Sequence, residues 1–417
     1  MGLSLRRLIS VVLVWTCLNA QFASSQTETK PDSVSPPKTY TSRNFIVHTD
    51  LSEEEAKDLL ERLETMLGLI STYWGRRNAK TIECFVVEDI TNWPRDAMPP
   101  EGLAKVREGA GVTLTQTITI GNRFDANAKV YAVADRGTPQ HEAVHAYCAQ
   151  TFGTTGPVWY SEGMAEMGNY WRKGDSSVEI HPGVLKYLQT TEPKSLNEIV
   201  NAQELTGDSW ENYAWRWALC HLLANNSNYQ ARFRPLGLDL LQQKATTFES
   251  VYGLMANEIV FEYILFLQNI EQGYRVDLCS WDWRAKPRKL LGKRPLKSTI
   301  EAGEGWQPTR AFVEKDLEYE FTTDGTWRVE KDGTELDADG DMEGKGKLVG
   351  VVFDDYQLSE PIELGAYGMF KAPAEGQLFL RCQDAWGSIA DNKGKMGFQI
   401  REKQPEGEAP LPDPRKK

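Results

Sequence analysis

Two histidines four residues apart on a helix project from one face, and the stretch His141-Glu142-Ala143-Val144-His145 offers that pair. The chemistry this spacing suits is metal ligation. Glu142 follows the first imidazole directly, so its carboxylate can reach a water activated by the same ion and take its proton. The chain has only five histidines, His48, His141, His145, His181 and His221, so the pairing is not a by-product of histidine-rich composition. Catalytic zinc usually takes three protein ligands and keeps a fourth position open. The segment Pro157-Val-Trp-Tyr-Ser-Glu162-Gly-Met-Ala-Glu166-Met supplies the third, Glu162. If Ser161 caps a second helix, Glu166 lies on the same face as Glu162 and can hydrogen-bond an imidazole N–H, orienting the ring. Cys148, seven residues after His141, is either a further ligand or a buried core thiol.

The elements that must position these residues carry their own signals. Thr138 as N-cap, Pro139 in the first turn and Gly153 as the stop bound the metal helix. Upstream, Phe45-Ile46-Val47 reads as a short strand. Ser52 then caps a helix whose Leu59, Leu60, Leu63, Met66, Leu67 and Ile70 recur at helical spacing, and Ile82 to Val87 returns as a strand. From Gly111 the alternating run Val112 to Ile120 predicts a sheet strand just before the metal helix. Strand, helix, strands and then an active-site helix is an α+β order. Asn212 to Leu222 reads as a further helix opening with Tyr213, and helical character continues to Asn269 through Phe261, Tyr263, Ile264, Leu265 and Leu267.

H-E-x-x-H followed by W-x-x-E-G-x-A-E resembles the gluzincin metallopeptidases, in particular the secreted peptidase-MA-like bacterial families. The resemblance implies a zincin-like metallopeptidase domain, a small sheet with active-site helices, over residues 41–283. It implies His141, His145 and Glu162 as zinc ligands and Glu142 as general base and later proton donor. Relatives carry a Tyr at the start of a downstream helix whose hydroxyl faces the zinc site, which makes Tyr213 the candidate oxyanion donor. His221 is the runner-up, because some gluzincins use His, and Tyr170 is a weaker alternative. Either Tyr213 or His221 can instead be a packing residue on an apolar helix face. Glu162 falls 17 residues after His145, slightly closer than in the aminopeptidase branch, and no G-x-M-E-N-type signature precedes the helix, so aminopeptidase specificity is not supported.

After this domain the character changes. Residues 284–297 hold seven Lys or Arg and two prolines, a linker with a basic face. Residues 298–403 lose helical periodicity and predict an all-β sandwich, with Leu317-Glu-Tyr-Glu-Phe-Thr, Gln377-Leu-Phe-Leu-Arg and Met396-Gly-Phe-Gln-Ile alternating. In the loop Gln383 to Gly394, oxygen-bearing side chains crowd one turn, which suits calcium. That loop resembles the calcium-site loop of a bacterial calcium-dependent galactose-binding lectin. The match places Asp384, Ser388, Asp391 and Asn392 on calcium-binding positions; glycan is a candidate partner of this domain, but sugar binding does not follow from the calcium loop alone. The same Asp and Asn residues also suit a plain turn, and the acidic run Glu335 to Glu343 is either a second calcium loop or a solvated one. The tail, 404–417, is rich in proline and charge and reads as disordered.

At the N-terminus Arg6 and Arg7 precede an apolar run from Leu8 to Leu18 and the small residues Ala23, Ser24 and Ser25. Residues 1–25 resemble a signal peptide, with 26–40 a flexible lead, which predicts a secreted or periplasmic protein and, less favoured, one anchored by an uncleaved signal. The apolar run is short for a span, and no other segment reads as one. Five cysteines beyond Cys17, odd in number and widely scattered, do not form a disulfide framework. A net charge of −12 over 417 residues argues against a nucleic-acid partner. The expectation is therefore a secreted zinc metallopeptidase acting on peptide or protein substrates. A non-catalytic cell-surface or glycan-binding protein on a zincin scaffold, and a zinc hydrolase of a non-peptide bond, are the alternatives. The aromatic pair Trp281-Asp-Trp283 has no role in this reading.

Overall fold

The computed structural model describes residues 36–120, 123–172, 174–201, 209–291, 293–404 and 409–414, together with the pair 7–8. The expected signal peptide and most of the lead therefore lie outside the described residues, Arg7 and Leu8 apart. Helices and several sheets combine in an α+β architecture. The chain divides into two compact units. The first comprises Met1–Asp175, Pro182–Ala224 and Tyr229–Gly253, and the second Ser176–His181, Asn225–Asn228 and Leu254–Lys417.

In the first unit the elements run β1 (Arg7–Leu8), β2 (Lys38–Thr41), β3 (Phe45–Thr49), α1 (Glu53–Trp74), β4 (Ile82–Val87), α2 (Pro100–Arg107), β5 (Gly111–Ile120) and β6 (Arg123–Val133). They make one sheet in the order β1-β5-β6-β4-β3-β2. Its centre is parallel, β3 with β4 and β4 with β6, whereas β5 returns antiparallel to β6. Ser52 and Glu55 close a capping box at the start of α1, and Gly75 ends it in the left-handed region. The stripe Leu59, Leu63, Met66, Leu67 and Ile70 is buried, as its helical spacing requires.

Next come α3 (Thr138–Phe152), α4 (Val158–Tyr170), α5 (Pro182–Thr190), α6 (Leu196–Val200), α7 (Trp210–Asn225), α8 (Gln230–Leu241) and α9 (Phe248–Tyr252). Thr138 is the first helical residue of α3 rather than its cap. The cap position is Gly137, and the Asp135 carboxylate accepts from the N–H groups of Gly137 and Thr138 at 2.9 and 2.6 Å. Every residue from Thr138 to Gln150 is buried, so over this stretch α3 is a central helix without a solvent-exposed face. Helix α4 begins at Val158, so Ser161 lies inside it and not at its cap. Glycines bring these helices close. A Cβ at Gly168 would collide with Val144 of α3, and one at Gly163 would stand 2.8 Å from the Arg216 carbonyl of α7.

The second unit opens with α10 (Ala256–Gln268) and continues with β7 (Arg288–Lys289), β8 (Leu296–Glu301), β9 (Gln307–Val313), β10 (Glu318–Arg328), β11 (Leu348–Asp354), β12 (Gln357–Leu358), β13 (Ile362–Glu363), β14 (Tyr367–Lys371), β15 (Gly376–Cys382) and β16 (Lys393–Glu402). One sheet runs β14-β10-β16-β8 and the other β12-β11-β15-β9-β7, with β13 beside β11. Both line one core, through Ile300, Phe321 and Phe398 from the first and Leu348, Val352 and Leu380 from the second.

The sequence reading puts α10 with the first domain; in the structure it belongs to the second unit. Phe261 and Leu265 of α10 cluster with Trp281, Val351 and Phe379, and the Trp281 and Phe379 rings stack at 3.9 Å. The buried Glu262 carboxylate accepts from Asn226, Asn228, the Trp281 backbone and the Trp283 indole at 2.5 to 3.0 Å. Trp281 and Trp283 thus pin α10 to the sandwich. The run Phe248–Gln268 is long and apolar enough for a membrane span, which sequence reading overlooked. Within it Phe261 and Leu265 are buried against the sandwich and the Glu262 carboxylate is hydrogen-bonded.

Candidate metal centre

Helices α3 and α4 place three ligand atoms at one point. His141 Nε2 lies 3.1 Å from His145 Nε2 and 3.2 Å from Glu162 Oε2, and His145 Nε2 lies 3.5 Å from the same oxygen. Bonds of about 2.0–2.1 Å at tetrahedral angles separate zinc ligands by about 3.3 Å, so the triangle has the dimensions of one face of a zinc tetrahedron. All three residues are buried, and among the described residues they are the one group of three or more His, Cys, Asp or Glu side chains converging closely enough to hold an ion. Glu162 Oε2 is buried and faces only the two imidazole Nε2 atoms, with no other hydrogen-bond partner. The donor set, two imidazoles and a carboxylate, fits zinc.

The partners of each ligand fix its orientation. Glu166 Oε1 stands 2.9 Å from His141 Nδ1, and an N–H donated there leaves the Nε2 lone pair aimed at the triangle. Ser161 Oγ stands 3.2 Å from His145 Nδ1 and does the same for the second ring. Burial works against a charged His141 ring, yet the carboxylates of Glu162 and Glu166 raise its pKa well above the ordinary value. Burial likewise opposes an ionised Glu162, but the neighbouring imidazoles bring it down to about 2. The site is arranged to keep a carboxylate ionised in a dry pocket.

Glu142 points toward strand β5. The Thr113 hydroxyl stands 2.8 Å from Glu142 Oε2 and 2.8 Å from its carbonyl oxygen. Burial raises the Glu142 pKa, and the two nearby imidazoles counter it. At Gly111 a Cβ would stand 2.6 Å from Thr138 Cγ2 and 2.7 Å from Glu142 Cγ, so the strand reaches the helix this closely because residue 111 has no side chain. The Tyr213 ring of α7 lies 5.7 Å from the His141 ring, centroid to centroid. The His221 ring packs on Trp217 at 5.0 Å, and Tyr170 lies against the same indole at 6.0 Å. Cys148 is a buried thiol whose pKa burial pushes far up, and all five described cysteines are free.

The structure thus brings His141, Glu142, His145, Glu162, Glu166 and Tyr213 into one neighbourhood. Sequence reasoning missed Thr113, Ser161 and Gly111. The only local signals were a Ser one residue before the acidic ligand and a Gly opening the preceding strand.

The loop in the second unit is arranged less uniformly. Asp384 is half-buried and Asn392 buried, and Asp384 Oδ2 and Asn392 Oδ1 have no hydrogen-bond partner, whereas Ser388 and Asp391 face solvent. Burial raises the Asp384 pKa. In the acidic run, Asp337 and Asp341 accept backbone N–H groups two residues on, at 2.9 Å each, which makes them turn formers.

No family model matches the sequence, and no curated protein matches it. Among solved structures 28 chains match. One of them, described as an EclA N-terminal domain and PllA-like lectin, is 17% identical, with 26% of this chain and 96% of that chain covered at a TM-score of 0.22.

Proposed function

We propose that this protein is a secreted zinc-dependent peptidase whose first unit is a zincin-type catalytic domain. The observation that carries the reading is the triangle of His141 Nε2, His145 Nε2 and Glu162 Oε2, with edges of 3.1 to 3.5 Å and an otherwise unpartnered carboxylate oxygen. Zinc held there supplies a Lewis acid that polarises a carbonyl and makes water a nucleophile near neutral pH. Glu142, next in sequence to His141 and held by Thr113, takes the proton of the attacking water and returns it to the leaving amine. Tyr213, beside the His141 ring, donates to the oxyanion. Glu166 and Ser161 hold the two imidazoles in register. The choice of a peptide bond rests on the H-E-x-x-H and W-x-x-E-G-x-A-E resemblance, and secretion on Arg6, Arg7 and the run Leu8 to Leu18. In the second unit, the unpartnered oxygens of Asp384 and Asn392 support a calcium site within an accessory module.

The test is hydrolysis of unfolded casein by the parent and by Glu142→Gln. The variant should keep its zinc and lose turnover by roughly 10²–10⁴-fold, the usual contribution of a positioned base. Turnover at the parental rate in Glu142→Gln would sink the assignment.

A further inference from the structure

Strand alternation divides the side chains of the first unit's sheet between two faces. Thr113, which holds Glu142, shares a register row with Val130, Cys84 and Val47. The neighbouring row, Val112, Tyr131, Phe85 and His48, therefore points to the other face, away from the metal centre. There His48, Phe85, Asn92, Trp93, Ala97 and three prolines line a cavity of about 510 Å³. Its rings are held from outside the cavity. The Trp93 indole N–H donates to Asp50 Oδ1 at 3.0 Å, and the same carboxylate accepts the N–H groups of Glu88 and Asp89 at 2.8 Å. His48 Nδ1 lies 2.9 Å from Thr39 Oγ1, and its Nε2 lies 3.1 Å from Glu83 Oε1. Both rings have thus spent their polar atoms and offer the cavity carbon alone. The His48 and Phe85 centroids stand 4.6 Å apart, and those of Phe85 and Tyr131 5.0 Å. Rings that close cannot lie side by side in one plane, so they stack across the strands and turn their edges away from the sheet. Trp93 stands 6.3 Å from Phe85 at an angle of 50°. Asn92 donates to Asp50 through Nδ2, and its Oδ1 is buried without a partner.

We propose that this cavity binds a flat aromatic small molecule of two fused rings with a single hydrogen-bond donor. The edge of an aromatic ring is the positive end of its quadrupole, so the edges of His48 and Phe85 complement the face of a ligand ring lying across them. A saturated hydrocarbon offers no such face. A sugar would bring many hydroxyl groups to side chains among which Asn92 Oδ1 is the one buried atom left to match. Lys38, exposed at the rim, adds one cation, too little by itself to hold a phosphate. The volume falls in the range of small-molecule sites, and a lining already fixed by Asp50, Thr39 and Glu83 loses little freedom when a ligand enters. The site lies on the opposite face of the sheet from the metal centre, so it stands or falls independently of the peptidase reading.

The experiment titrates the full chain with 2-naphthol and with decahydro-2-naphthol, followed by saturation-transfer NMR of the ligand. The two probes share a carbon skeleton and a hydroxyl group and differ in flatness and aromaticity. Two edge-to-face contacts should make 2-naphthol bind about tenfold more tightly. Phe85→Leu keeps an apolar side chain but removes one of the two edges, so the preference should narrow to about threefold. That preference is a ratio measured on one sample, so a change in the variant's stability does not mimic it. Ala97→Leu places a larger side chain in the cavity and should abolish binding of both probes, with the melting temperature reporting that the fold is kept. A parent chain that binds no 2-naphthol, equal affinity for the two probes, or a preference that Phe85→Leu leaves at the parental value would each overturn the proposal. So would binding that a folded Ala97→Leu retains, which would place the ligand elsewhere.

Discussion

Gly111→Ala adds one methyl group at the point where strand β5 meets helix α3, and the structure predicts what it does. The new carbon would stand 2.7 Å from Glu142 Cγ and 2.6 Å from Thr138 Cγ2, neither of them the far end of a flexible side chain. Carbon atoms rest at about 3.5–4.0 Å, so the strand or the glutamate must move by about 0.8 Å. Overpacking of this kind costs about 1–3 kcal/mol of stability. More telling is where the shift falls. The atoms nearest the added methyl belong to Thr138 and to the Glu142 side chain, whose carboxylate Thr113 holds, and not to His141, His145 or Glu162. Misplacing a catalytic group by about 1 Å costs about 10²-fold in rate. On the proposed peptidase function the variant should keep as much zinc as the parent, melt a few degrees lower and hydrolyse casein about a hundredfold more slowly. Metal content by mass spectrometry, thermal melting and initial rates on one sample read all three. Loss of zinc, or a rate within about threefold of the parent, would refute the claim that Gly111 sets the position of Glu142.

Two further changes probe the supports. Glu166→Ala removes the carboxylate 2.9 Å from His141 Nδ1 and should weaken zinc affinity about 10–100-fold, with Glu166→Gln between it and the parent in competition against a chelator; equal affinities would remove Glu166 from the site. Glu262→Ala strands the donors of Asn226, Asn228, Trp281 and Trp283 and should cost about 3–5 kcal/mol, seen as a lowered calorimetric transition in the full chain with zinc content unchanged; a loss below about 1 kcal/mol would show that α10 is held by its aromatic contacts alone.

What could be read from the sequence was what helical spacing encodes. His141 and His145, and again Glu162 and Glu166, are four apart, so one turn of helix suffices to align each pair, and the structure turns both pairs toward one point. Strand alternation likewise located the β-rich region from residue 298 to 403. The misses are contacts between residues distant in sequence. Thr113 meets Glu142 across 29 residues, and nothing in either segment announces it. Ser161 looked like a cap because Ser often is one, but Pro157 takes that position and frees the hydroxyl for His145. Thr138 moved into the helix because Asp135 supplies the capping carboxylate. Helix α10 was placed with its sequence neighbours, yet its apolar face finds the sandwich, and the Trp281–Trp283 pair that fastens it lies beyond the helix. Periodicity shows that a face is buried, not what buries it.

The most direct test of the central claim is zinc content per purified chain, measured for the parent, His141→Ala and Glu162→Ala. The triangle predicts about one zinc per parent chain and none in either variant, since a tetrahedral site reduced to two protein ligands binds weakly. A parent chain that takes up no zinc, or a zinc that both variants retain, would contradict the account.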